Sequence, residues 1–154
     1  MACPKSLFLA ALLLCAVSGP RAAQDAQGEP QTPQVELNVG VRLIHAEVAA
    51  DEKRRMRGLM YRQELARDHG MLFVFDHPER QCMWMRNTYI ALSVAFLDES
   101  GTIVNVEEMQ PRTDDSHCSA RPAAYALEMN AGWFARNGAR PGMRIEGVER
   151  AGPR

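Results

Sequence analysis

Several chemistries are excluded by what this chain does not contain. Its four histidines, at positions 45, 69, 77 and 117, never fall at the His-x-x-x-His spacing that sets two imidazoles on one helix face for zinc. There is no Gly-x-Ser-x-Gly elbow to expose a nucleophilic serine, and no Gly-rich Walker loop to cradle a phosphate. No apolar run approaches the roughly 20 residues that a membrane-spanning helix requires. Neither sign of charge prevails: 18 basic residues face 19 acidic ones, for a net charge of −1. That balance provides no global attraction to nucleic acid or anionic lipid.

What is present begins with the amino-terminal segment. Lys5 gives it a positive head, Ser6 to Val17 is a short apolar run, and Ser18-Gly19-Pro20 follows. That order is the signature of a secretory signal peptide, so residues 1–23 are expected to leave on export. Residues 24–33 are polar and contain Gly28, Pro30 and Pro33, a composition that predicts a flexible linker. Residues 34–148 then form a single globular domain, and 149–154 a tail. Without the leader, basic residues fall from 18 to 16 against 19 acidic ones, and the net charge is about −3. The expected location is periplasmic or secreted, with no membrane span after cleavage and no nucleic-acid partner. Cys3 and Cys15 leave with the leader. Cys82 and Cys118 remain as a candidate disulfide, with two free thiols as the alternative.

Within the domain, Val35 to Val39 alternates apolar and polar as a half-buried strand does, and Val41 to Val48 is a second extended run. Asp51 is placed to cap a helix, with Glu52 in its first turn and Met56, Leu59 and Met60 on one face. Gly70 to Phe75 is a continuous apolar run, as expected of a strand buried on both sides. Cys82 to Asn87 reads as a strand that sets Cys82, Trp84 and Arg86 against Met83, Met85 and Asn87. Ala91–Leu97 and Thr102–Met109 form a hairpin across Asp98-Glu99-Ser100-Gly101. Gln110 to Pro122 is a long loop and Ala123 to Met129 a strand. Asn130 is placed to cap a two-turn helix through Asn137 with Gly138 after it, and Met143 to Val148 is a last strand. The fold class is α+β, mainly antiparallel β, as a curled sheet or small barrel with two short helices.

Four stretches carry a family resemblance: Arg57-Gly58-Leu59-Met60-Tyr61-Arg62, Gly70-Met71-Leu72-Phe73-Val74-Phe75, Trp84-Met85-Arg86-Asn87-Thr88 and Phe96-Leu97-Asp98. Cys118 and Tyr125-Ala126-Leu127-Glu128-Met129-Asn130-Ala131-Gly132 follow in order. Together they resemble the family called domain of unknown function 192, over about Val35 to Ile145. The resemblance implies a small β-rich domain, usually exported or membrane-tethered, and no particular activity. Two positions depart from the pattern: Met83, where the family usually has Phe, and Met143, where Asp is common.

The candidate binding residues are Trp84, Arg86, Asn87 and Thr88, joined by Glu128 and Asn130. Arg86 offers a rigid fork for a carboxylate or phosphate, Asn87 and Thr88 offer donors and acceptors, and Trp84 a ring for stacking. The structural alternative is that Asn87 and Thr88 satisfy a turn and that Arg86 pairs with Glu128. A soft Cu(I) site would draw on Met60, Met71, Met83, Met85 and Cys82, although methionines in apolar runs ordinarily fill core gaps. His117-Cys118 could supply an activated thiol, but adjacency in sequence is not the geometry a base and nucleophile need. These residues predict a non-catalytic binding or accessory module of the cell envelope, with no cofactor or metal and with a small molecule or envelope protein as partner. The alternatives are an enzyme acting on an envelope polymer or small metabolite in the same pocket, and a Cu(I)-binding periplasmic protein.

Overall fold

The computed structural model describes residues 32–152; the leader read at 1–23 and all but the end of the linker lie outside them. In chain order the elements are β1 (Gln34–Val39), β2 (Arg42–Ala49), α1 (Glu52–Arg57), β3 (His69–Glu79), β4 (Cys82–Met83) and β5 (Leu92–Leu97). They continue with β6 (Ile103–Met109), β7 (His117–Cys118), β8 (Ala123–Asn130), α2 (Trp133–Arg136) and a 3-10 turn (Val148–Ala151). Six strands form one sheet in the order β1-β2-β3-β8-β5-β6, and β4 and β7 form a separate ribbon. The protein is thus α+β and mainly β, as its composition of short runs predicts. All neighbours in the large sheet are antiparallel except β2 and β3, whose crossover carries α1.

Alternation decides which strands lie at the edge and which at the centre. In β1, and in β2 as far as Val48, every second side chain is buried, Val35, Leu37 and Val39 against Ile44, Ala46 and Val48, and only Ala49 at the end of β2 joins the core on the other face. All of β5, and β8 from Ala123 to Met129, are buried, so these strands are covered on both faces. One face packs Leu37, Ile44, Leu72, Leu127, Trp133, Phe134 and Ile145. The other packs Leu59, Phe73, Met85, Leu92, Val94 and Phe96.

The sheet stays open and is not a barrel, but a short segment spans its two edges. The Met143 carbonyl accepts from the Ile103 amide of β6, the Gly142 amide donates to the Ile103 carbonyl and the Ile145 amide to the Gly101 carbonyl just before β6, and Glu146 exchanges two hydrogen bonds with Asn38 of β1. The strand expected over 143–148 is therefore two isolated bridges followed by the 3-10 turn, which also takes up much of the expected tail. The helix expected to start at Asn130 is a single turn. Asn130 remains in β8, and Gly132, with φ of 71°, caps α2. Gly138 does follow that helix, at φ of 68°. Helix α1 begins as read, with the Asp51 carboxylate accepting from the Arg54 amide at 2.8 Å, but ends at Arg57. Leu59 is buried in the turn beyond it, and Met56 is exposed.

Candidate functional site

Strand β8 is the structural centre of the site. It lies between β3 and β5, and Glu128 stands opposite Met71 on one side and Val94 on the other. Its neighbours on β8 are apolar, so the sheet carries this carboxyl into a hydrophobic layer and leaves it 3% exposed. No donor among the described residues hydrogen-bonds it. Burial alone pushes its pKa from the ordinary 4.5 up to about 8. At neutral pH it is therefore mostly a neutral acid.

Two segments cross this face and leave a pocket of about 210 Å³ between them. The first is the end of α1 and the turn after it, contributing Arg55 to Met60. Gly58 has φ of 47°, and a Cβ there would come within 3.2 Å of the Phe73 ring, so the turn lies directly on β3. The second is the β4 ribbon and the turn after it, contributing Cys82, Met83, Trp84 and Thr88. Phe73 and Glu128 form the buried end, while Met56 and Trp84 stand at the exposed rim. Thr88 is buried at 4% exposure and brings a hydroxyl to the same wall.

The ribbon is held in place covalently. Cys82 and Cys118 face one another in register and are bonded, with an S–S distance of 2.09 Å. The strand read over 82–87 shortens to two residues because a turn follows, closed by the Thr88 amide on the Met85 carbonyl at 3.0 Å. The alternation holds as far as Arg86, with Met85 buried, Met83 half-buried and Cys82, Trp84 and Arg86 facing outward, and it fails at Asn87, which is exposed in the turn.

Of the six residues singled out from the sequence, Trp84, Thr88 and Glu128 meet at the pocket. The other three lie elsewhere. Arg86 pairs with Asp114, Nε to Oδ1 at 2.8 Å, and its guanidinium lies 5.4 Å over the Trp84 ring; it does not reach Glu128. Asn87, with φ of 58°, forms the turn, and its carbonyl accepts from the Tyr61 amide at 2.8 Å. Asn130 donates to the carbonyls of Leu65 and Ala66, which fastens the 63–68 loop to the end of β8. As for a soft metal, Cys82 is spent in the disulfide and cannot offer a thiolate, and Met71 and Met85 are packed in the core. The walls from α1, and Phe73 and Phe75, were not legible from motif alone. One signal did point there: Glu128 is the single acid in the apolar run 123–129.

A larger groove of about 540 Å³ lies across the same turn and shares Arg57, Gly58 and Met60 with the pocket. Both of its carboxylates are paired, Glu47 with Arg62 at 2.5 Å and Asp51 with Arg54. Volume alone therefore does not make it the site. The smaller pocket holds the buried carboxyl without a partner.

The family model for DUF192, described as an uncharacterized ACR, matches residues 35–147, and the chain belongs to that family. It is similar to a crystallised protein of Sinorhizobium meliloti 1021 described as a candidate transcription regulator, with 38% identity and a TM-score of 0.75. The match covers 79% of this chain and 98% of that one. It is also similar to a protein of unknown function from Novosphingobium aromaticivorans DSM 12444, with 31% identity and a TM-score of 0.69, covering 73% of this chain and 83% of that one. No protein among those with curated descriptions matches.

Proposed function

We propose that this protein is an exported, non-catalytic module of the cell envelope that binds a small ligand in the pocket over Glu128. The observation that carries this reading is the buried, unpartnered carboxyl lining a cavity. A polar group in an apolar layer without a protein hydrogen bond costs free energy, and a perturbed acid lining a cavity marks a candidate binding site. Export is supported by the disulfide, which persists in oxidising compartments, and by the leader-like sequence at residues 1–23. Among the described residues no helix is long and apolar enough to cross a membrane. A net charge of about −3 after leader removal supplies no attraction to DNA phosphates.

Native mass spectrometry of the protein from a periplasmic preparation tests this reading. A retained or added small-molecule mass is expected, weakened in both Glu128→Gln and Trp84→Ala. Equal retention in both variants would move the ligand to another surface. A second reading is supported by the same carboxyl. An acid titrating near neutrality suits general acid–base catalysis. It predicts a pH–rate profile whose ionisation disappears in Glu128→Gln. Binding remains the preferred reading, because among the described lining residues no second ionisable acid or activated nucleophile accompanies Glu128.

A further inference from the structure

Glu128 is the single acid among the described residues lining the pocket, and it sits at the buried end. Around the cavity stand the rings of Phe73, Phe75 and Trp84 and the thioethers of Met56, Met60 and Met83. Ring faces attract cations, and thioethers are polarisable walls that adapt to apolar groups. The Trp84 ring already carries one cation, the Arg86 guanidinium. We propose that the pocket takes a small organic cation, an ammonium bearing a few apolar carbons, with Glu128 as its counter-ion. This rests on the reading of the pocket as the binding site. The volume, about 210 Å³, falls below the range of about 300–1,000 Å³ typical for drug-sized ligands.

The charged groups nearby leave this role to Glu128. From α1, Arg55 directs its guanidinium to the carbonyls of Ala50 and Val74, at 2.8 and 2.9 Å, and to the Asp76 carboxylate at 2.8 Å. Arg57 is exposed, so solvent screens it, and Arg86, over the Trp84 ring, is exposed and paired with Asp114 at 2.8 Å. The strands flanking Glu128 bring Met71 and Val94, which do not titrate, and Cys82 is oxidised. An anionic ligand would favour Glu128 with its proton in place, whereas a cation requires Glu128 to lose it. The two ligand classes therefore have opposite pH dependence. For a cation, affinity rises on the order of tenfold per pH unit below about 8 and then levels, with close to one proton released.

The test is calorimetric titration of the full chain with choline and n-butylammonium, and with their uncharged carbon analogues 3,3-dimethylbutan-1-ol and n-pentane, the last through a headspace measurement. Titrations at about pH 6, 7 and 8, in buffers of different ionisation enthalpy, count the protons. At least one cation is expected to bind more tightly than its uncharged analogue, with affinity rising with pH and a proton released. Glu128→Gln should abolish the pH dependence, and Trp84→Ala should weaken binding at every pH. Affinity that falls with pH, or an uncharged analogue bound as tightly as its cation, overturns the cation class while leaving the pocket reading intact if Trp84→Ala still weakens binding. Cation binding untouched by both substitutions overturns the pocket reading itself. Failure of both cations to bind overturns the proposal.

Discussion

At the scale of the residue, Glu128 has a consequence for stability that is independent of any ligand. Folded, it titrates at about 8; unfolded, it returns to its ordinary 4.5. Between those values the native state holds a proton that the unfolded chain has given up. Each rising pH unit then favours unfolding by about 1.4 kcal/mol. The contribution is complete below pH 4.5 and lost once pH has risen through about 8. Glu128→Gln removes the titration while keeping the shape. Urea unfolding at about pH 5, 7 and 9 should therefore show the wild type weakening with pH relative to the variant, and parallel curves would mean that the carboxyl is solvated after all. Such a destabilising group is what a functional pocket retains at the expense of the fold. Its burial was legible only in part. Residues 123–129 read as a strand with one acid among apolar residues, but no motif says that the strand is covered on both faces or that the acid lacks a partner.

At the scale of the element, local chemistry was read most reliably where one or two side chains decide the geometry. Asp51 caps α1 as its position before Glu52 requires, and the hydrogen bond that its carboxylate accepts from the Arg54 amide lowers the Asp51 pKa. Asp51→Ala should lower the melting temperature by leaving the Arg54 amide uncapped, measured by thermal unfolding at neutral pH. The hairpin at Asp98 to Gly101 follows from the same kind of reasoning, since Gly101 supplies φ of 82°. Elements set by distant partners were harder to read. Residues 82–87 look like a full strand, yet their partner β7 offers only two residues and is fixed by a bond 36 residues away in sequence. Asn130 looks like a cap, yet the 63–68 loop claims its side chain. The disulfide should contribute about 3–4 kcal/mol by the chain-entropy account. A Cys82→Ser, Cys118→Ser double variant is expected to lose that much in urea. In hydrogen exchange it should lose protection around 82–84 and 117–119 before β3, β5 or β8. Unchanged stability would show that the ribbon is held by its packing alone.

At the scale of the whole molecule, the sheet has two open edges, β1 and β6, and one short segment serves both. Unpaired strand edges invite pairing with other chains, and folds commonly cover them. Here residues 142–146 do so by hydrogen-bonding Gly101 and Ile103 on one side and Asn38 on the other, while Ile145 between them is fully buried. The sequence reading placed a strand in this region without its role, because period two cannot reveal that successive residues face different edges. Ile145 is thus both a core residue and the anchor of a clasp. Ile145→Ala should cost about 2–5 kcal/mol, as truncation of a fully buried aliphatic side chain does. Val41→Ala, in the exposed β1–β2 turn, should fall within about 0.5 kcal/mol of the wild type. The distinguishing result lies in hydrogen exchange. If the segment is a clasp, the amides of Asn38 and Ile103 lose protection together in Ile145→Ala, while the centre of β8 keeps its own. Loosening confined to one edge would mean that the two sets of hydrogen bonds are independent, and that Ile145 contributes to the core alone.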